Sequence, residues 1–225
     1  NGTKIISFGD WDQLAPHPES NSWRGESISA DAFKNSRLYK SWSDCTCFEL
    51  TRCRRSDQHH FDFYTSLPKD LSKAIKASRK RYRECEDADL HVTMSHRKRR
   101  AISMAKREAA AKGQECVDIP GGDDPGFKCF VGTRLVGNSS ASKITNGCRY
   151  TVTRLGPEKI TLKDDLTETE FEVTLDQVSK HCILAWALCY PKVQGCTEKG
   201  TVLLHDLSSP YLKRNHLYVG LSRVT

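Results

Sequence analysis

Residues 183–190 read Ile183-Leu184-Ala185-Trp186-Ala187-Leu188-Cys189-Tyr190. The chain then turns through Pro191-Lys192-Val193-Gln194-Gly195-Cys196-Thr197, and a buried-looking strand, Thr201-Val202-Leu203-Leu204-His205-Asp206, follows. The last nine residues are Leu217-Tyr218-Val219-Gly220-Leu221-Ser222-Arg223-Val224-Thr225. One apolar segment thus delivers Lys192, Gln194 and Thr197 into a turn around Gly195, and another delivers Arg223 beside two hydroxyl residues. Ammonium and guanidinium groups presented from structured apolar segments, with amide and hydroxyl donors nearby, suit a phosphate-rich ligand.

This pair of segments resembles motifs V and VI of superfamily 1 helicases, in particular the RecD-like (1B) group. Lys192, Gln194, Gly195 and Thr197 match the first motif, and Tyr218, Val219, Leu221, Ser222 and Arg223 match the second. Pro191 stands where the family usually has His, and Val193 where it has Ser. Far upstream, the β-type run Lys4-Ile5-Ile6-Ser7-Phe8 ends at Gly9-Asp10-Trp11-Asp12-Gln13-Leu14-Ala15-Pro16. Polar side chains at the carboxyl end of such a strand lie where open α/β sheets place ligands, and this turn resembles helicase motif III. Leu50-Thr51-Arg52-Cys53-Arg54-Arg55-Ser56-Asp57 is similar to motif IV, with Arg55, or the adjacent Arg54, at the phosphate-contacting position and Ser56 in place of the usual Gln.

The resemblance implies an α/β fold: a RecA-like domain of the P-loop NTPase type carrying a small SH3-like β-barrel insertion. It implies that 1–40 close a first RecA-like domain, 41–130 and 181–225 make the second, and 131–180 form the barrel. It implies ATP as the nucleotide, with Asp10, Gln13, Arg55, Gly195 and Arg223 at its site. Gln13 would sense the terminal phosphate, and Arg55 and Arg223 would act as arginine fingers on the transferring phosphoryl group. Lys192, Gln194 and Thr197 would grip single-stranded DNA, with 5′-to-3′ polarity. Two alternatives stay open: an RNA helicase of the same superfamily, and a nucleic-acid-binding module without turnover, for which Pro191, Val193 and Ser56 speak.

No Gly-x-x-x-x-Gly-Lys-Ser/Thr loop and no Asp-Glu pair ahead of the motif III turn occurs in the chain. The groups that hold the phosphates and Mg2+ and orient water are therefore expected mostly elsewhere. The chain reads as the carboxyl-terminal half of an ATP-driven motor, with a first RecA-like domain as its partner.

Between the motifs, patterning predicts helices over 30–39, 57–67, 68–83 and 96–112, the last stopped by Gly113. Strands are predicted over 45–50, 89–95 and 127–136. Short alternating strands over 148–155, 159–162 and 171–175, after an Asn146-Gly147 turn, suggest the small barrel. The 68–83 helix is strongly basic, a solvated face or a phosphate-tracking one. Ser95-His96-Arg97-Lys98 puts basic side chains at a strand end and helix start, where free N–H groups favour phosphate. His96, Arg97 and Lys98 are therefore nucleic-acid candidates outside the motifs.

Composition sets the bounds. At 225 residues, 37% hydrophobic and 28% charged, the chain has room for one large or two small domains with a real core. A net charge of +7 favours an anionic partner, nucleic acid being the commonest. No apolar run approaches membrane-spanning length, so no membrane partner is expected. The ten cysteines include no Cys-x-x-Cys pair. They read as reduced thiols in an intracellular compartment: nucleus, cytoplasm or a viral replication site. His59-His60 near Cys53 lacks a metal-ligand spacing, and no resident metal is expected.

Overall fold

In the computed structural model, which describes residues 9–14, 22–23, 26–27, 30–43, 46, 48–122, 125–141 and 143–224, the apolar run 183–190 is divided between two sheets. The elements run β1 (Ser22–Trp23), β2 (Glu26–Ser27), α1 (Ala30–Lys34), α2 (Arg37–Ser43), α3 (Gln58–Thr65), α4 (Leu71–Arg81), β3 (Leu90–Thr93), α5 (His96–Ala110), β4 (Val117–Ile119) and β5 (Phe127–Cys129). They continue with β6 (Arg134–Gly137), β7 (Arg149–Arg154), β8 (Lys159–Asp164), β9 (Glu170–Thr174), α6 (Leu175–His181), β10 (Cys182–Leu184), β11 (Ala187–Cys189), α7 (Tyr190–Val193), β12 (Val202–Leu204) and α8 (Arg214–Leu221).

β10 pairs antiparallel with β6, Ile183 opposite Val136. Two residues later the same run becomes β11, which lies parallel to β3 with Leu188 opposite Val92. The corner between them is bonded to both sheets: Ala185 N–H donates to Arg134 O and His91 N–H donates to Trp186 O, each at 2.9 Å. Because side chains alternate along a strand, β10 serves two cores. Ile183 and Val136 join Leu90, Val92 and Leu188, whereas Cys182, Leu184 and Leu135 join Tyr150, Leu162 and Val173.

The first core surrounds a parallel sheet of order β11-β3-β12 and takes in Tyr64 and Leu67 from the α3 region, Ala74 of α4 and Leu217 and Val219 of α8. β3 and β11 are buried along their whole length, as strands covered on both faces require. The second core lies under an antiparallel sheet of order β10-β6-β7-β8-β9, closed over by α6 and the β4–β5 pair. Its outer strands, β9 and β10, do not pair with each other among the described residues, so this part is an open sheet in its hydrogen bonding.

Several helix starts follow the sequence signals. Asp57, Asp70 and Ser95 cap α3, α4 and α5 by accepting from His60, Lys73 and Lys98 N–H, and Thr174 with Gln177 forms a capping box on α6. Other expectations are corrected. The 30–39 helix is two helices broken at Asn35-Ser36. The 127–136 strand is β5 and β6, separated by a turn in which Gly132 takes φ +97° and Thr133 Oγ1 accepts from Phe130 N–H at 2.8 Å. No strand forms at Thr46 or 48–50; Phe48 and Leu50 are exposed and have no strand to pair with among the described residues. The expected strand 4–8 and Pro16 lie outside the described residues, as do Cys45 and Cys47.

His91 of β3 and His205, just past β12, stack with ring centroids 5.2 Å apart and share a 2.9 Å hydrogen bond. Burial holds both, and His216 of α8, below the ordinary histidine pKa of 6.5. A base whose folded pKa is depressed binds more protons when unfolded, so stability is full above the ordinary value and is lost as pH falls below it. Denaturant midpoints should therefore drop between about pH 7.5 and pH 5.5, and a His205→Asn variant should show a shallower drop. Equal midpoints across that range would contradict the assignment.

Candidate functional site

α8 and the two residues after it, which carry the motif VI segment, gather the other three motif segments. The motif III turn lies along α8. Arg214 Nη1 pairs with Asp12 at 2.6 Å, Asn215 Nδ2 donates to Gln13 O at 2.9 Å, and Tyr218 OH donates to Asp10 Oδ2 at 3.0 Å. Gln13 Nε2 donates to the same Asp10 oxygen at 2.9 Å. At the other end of α8, Arg55 Nη1 donates to Ser222 O at 2.9 Å and His60 Nε2 donates to Leu221 O at 2.8 Å. The carbonyl acceptor fixes the His60 tautomer, so Nδ1 accepts from Tyr82 OH at 2.6 Å. Tyr64 meets Tyr218 edge-on at 5.3 Å.

Arg223 is 2% exposed. Its Nε donates to Val219 O at 3.0 Å, Nη1 to Cys196 O at 3.3 Å and Nη2 to Ser222 Oγ at 2.7 Å. Burial and the nearby Arg55 charge both press its pKa below the ordinary arginine value. The guanidinium therefore faces inward, onto carbonyls of its own domain, rather than projecting into an open cleft as the motif resemblance implies. The physical cause is local. The C-terminal turn of α8 leaves carbonyls without helical partners, and the Arg223 guanidinium, two residues beyond the helix, bonds one of them, Val219 O.

The nucleic-acid candidates lie elsewhere, at the carboxyl ends of the parallel strands. β3 leads into α5, β11 into α7, and β12 into His205-Asp206. His96 Nδ1 lies 3.8 Å from Cys189 Sγ, which brings the start of α5 against the start of α7. Lys98 Nζ pairs with Asp206 Oδ1 at 2.7 Å, so part of its charge is neutralised. Arg97, like His96, is exposed. Lys192 is half-buried and donates to Asn146 Oδ1 in the Asn-Gly turn, where Gly147 takes φ +85°; burial lowers its pKa. Gln194, Gly195 and Thr197 are exposed on the loop that carries the chain from α7 to β12, and Gly195 at φ +89° makes the turn possible. That loop joins the two regions, because Cys196 between Gly195 and Thr197 supplies a carbonyl to Arg223.

A phosphate group fits the first region in donor chemistry: two guanidinium groups and the Gln13 amide lie along one helix. It fits only if Arg223 exchanges its carbonyl partners for phosphate oxygens. No group of three His, Cys, Asp or Glu among the described residues could hold a metal ion by itself. Pattern reading gave His60, Tyr64 and Asn146 no nucleotide or nucleic-acid role. Each has a partner at least 46 residues away, in Leu221, Tyr218 and Lys192 respectively, and no local spacing announces such pairs.

No protein-family model and no curated protein matches the chain. Solved structures do. Pif1 helicase from Candida albicans superposes with a TM-score of 0.57 at 16% identity, over 96% of this chain and 61% of that one. Bacteroides Pif1 bound to single-stranded DNA superposes at 0.52 with 18% identity, over 76% of this chain and 48% of that one. Pif1 from Bacteroides in complex with ADP-AlF3 and single-stranded DNA superposes at 0.51 with 20% identity, over 79% and 49%. The fold is that of a helicase RecA-like domain. The chain spans about half the length of the Bacteroides proteins it matches and 61% of the Candida one.

Beside Arg55, Cys53 is half-buried with a perturbed thiol. Burial pushes its pKa up, but hydrogen bonds from the Ser56 hydroxyl and N–H, the Arg55 N–H and Tyr64 OH bring it down to about 7. Burial pushes Cys129 and Cys182 up to about 11 and about 12. Since the thiolate is the nucleophile, alkylation of the folded chain should proceed at Cys53 well ahead of Cys129 and Cys182, with a rate midpoint near pH 7 that rises in Tyr64→Phe. Peptide mapping after timed alkylation checks this; a Cys53 midpoint near the ordinary thiol value of 9.0 would contradict it.

Proposed function

We propose that this chain is the carboxyl-terminal part of an ATP-dependent DNA helicase of superfamily 1, RecD-like group, that moves 5′-to-3′ on single-stranded DNA. The observation that carries the reading is the gathering of Asp10, Gln13, Arg55 and Arg223, from segments up to 213 residues apart, along α8 and its end. Its partner in the working enzyme is a first RecA-like domain bearing the phosphate-binding loop and the ligands for Mg2+. ATP is the substrate. Arg55 and Arg223 place positive charge where charge gathers on the transferring phosphoryl group. Gln13, bonded to Asp10 and through its carbonyl to Asn215, relays the state of that site to α8. Lys192, Gln194 and Thr197, with His96 and Arg97 along the same sheet end, hold the strand backbone. The eight described cysteines, all free, suit an intracellular, reducing compartment.

One observation favours a second reading, a binding module without turnover: each of the three Arg223 side-chain nitrogens already has a protein acceptor. Steady-state ATP hydrolysis by the full-length protein with saturating single-stranded DNA separates the two. Under the motor reading Arg55→Ala and Arg223→Lys lower turnover by a factor on the order of 10³, because an ammonium does not reproduce the planar fork. DNA affinity without nucleotide changes little. Near-parental turnover in both variants would sink the arginine-finger assignment. RNA competing as well as DNA would redirect the reading to an RNA helicase.

The chain itself should bind single-stranded DNA weakly. With about three to five phosphates neutralised, log K should fall against log salt with a slope of roughly −2 to −3.5. A flat salt titration, or no binding at low salt, would contradict the placement of the strand.

A further inference from the structure

Glu198 follows the motif V turn and is 4% exposed. Both of its carboxylate oxygens meet arginines of the antiparallel sheet: Oε1 accepts from Arg134 Nη2 of β6 at 2.9 Å, and Oε2 accepts from Arg149 Nη1 of β7. Its backbone turns the other way. Glu198 N–H donates to Arg223 O at 2.8 Å, and Glu198 and Val224 form a parallel bridge. Two residues earlier, Cys196 O accepts from the Arg223 guanidinium. The segment 196–198 thus holds Arg223 by both main chain and side chain, and Glu198 ties that segment to the antiparallel sheet. Arg134 Nη1 also donates to Asp89 O at 3.1 Å, at the start of β3. Within the same antiparallel sheet, the β6–β7 connection carries Asn146, the partner of Lys192.

We propose that Glu198 is a positioning residue that couples the antiparallel sheet, through Arg134 and Arg149, to the placement of Arg223. The coupling rests on the arginine-finger reading above only for its catalytic consequence; the mechanical link stands on the contacts alone. A carboxylate removed from water requires charged partners, so its position follows theirs. Arg149 is in the same situation. Burial disfavours its charge, yet the Glu198 carboxylate, with Cys196 beside it, holds its pKa above the ordinary value. Displacing either sheet strand moves the carboxylate, and with it the N–H that fixes the Arg223 carbonyl.

Amide hydrogen exchange on this chain tests the link, using Glu198→Gln and Arg149→Gln, which keep side-chain shape closely or moderately while removing one charge each. Exchange at 196–198 and 222–224 should quicken at least about tenfold in both variants, with β8 and α5 amides as protected as in the parent. The double variant should quicken exchange by clearly less than the two single effects combined, as for residues sharing one interaction. Unchanged exchange at 222–224 in both variants, or equal quickening throughout the chain, would overturn the proposal. In the full-length protein, kcat for ATP should fall at least about tenfold with KM and DNA affinity within about twofold. Loss of kcat without the local exchange change also overturns it. A parental protein that hydrolyses no ATP removes the arginine-finger reading and leaves the exchange result to decide the link.

Discussion

The backbone corner at Ala185-Trp186 is the constraint on which the rest of the structure depends. One side of the corner is hydrogen-bonded to Arg134 O in the antiparallel sheet, and the other to His91 N–H in the parallel sheet. An uncharged run that changes sheets must satisfy both ladders within two residues, and its side chains must fill two cores. Each fully buried aliphatic side chain there contributes on the order of 1.5–3 kcal/mol, and Ile183, Leu184 and Leu188 are all buried. With the corner fixed, β11 ends at Cys189 and the chain enters α7 at a set place, so that Lys192 meets Asn146 and the following loop crosses beneath Arg223.

The candidate site inherits its geometry from this arrangement. α8 is clasped by the motif III turn along its length and by Arg55 and His60 at its end. The cluster is partly buried, and the Arg55 guanidinium lies close enough to disfavour the charge on Arg223. Bringing a phosphate to such a pair relieves that repulsion, which is the physical reason an anion suits the place better than a neutral ligand does. The inward bonds of Arg223 then act as a resting position whose acceptors are weak compared with phosphate oxygens.

Much of this was legible because it is written locally. The strand-then-turn character of 183–197, the helix starts near 57 and 96, and the Gly113 and Gly147 turns are short-range signals, and they recur in the structure where the sequence places them. The motif resemblance implied a shared site for Asp10, Gln13, Arg55 and Arg223, and in the structure they lie along α8 and its end. What stayed hidden is long-range. Nothing near Glu198 announces arginines 49 and 64 positions earlier, and nothing near Arg223 announces that Val219 and Cys196 carbonyls capture it. The 45–50 run has strand composition, but 48–50 pair with no strand among the described residues, and composition alone does not supply one. The 127–136 run hides a left-handed glycine that breaks it in two.

The central claim is that Arg223 is an inward-held group that turns to the nucleotide. The most direct measurement is a structure of the full-length protein with ADP, a metal fluoride standing in for the transferring phosphoryl group, and single-stranded DNA. The account predicts that the Arg223 guanidinium leaves Cys196 O and contacts the fluoride, with Arg55 beside it and the Glu198–Arg223 backbone bond intact. An Arg223 still bonded to Val219 and Cys196 carbonyls while the fluoride is bound would contradict it.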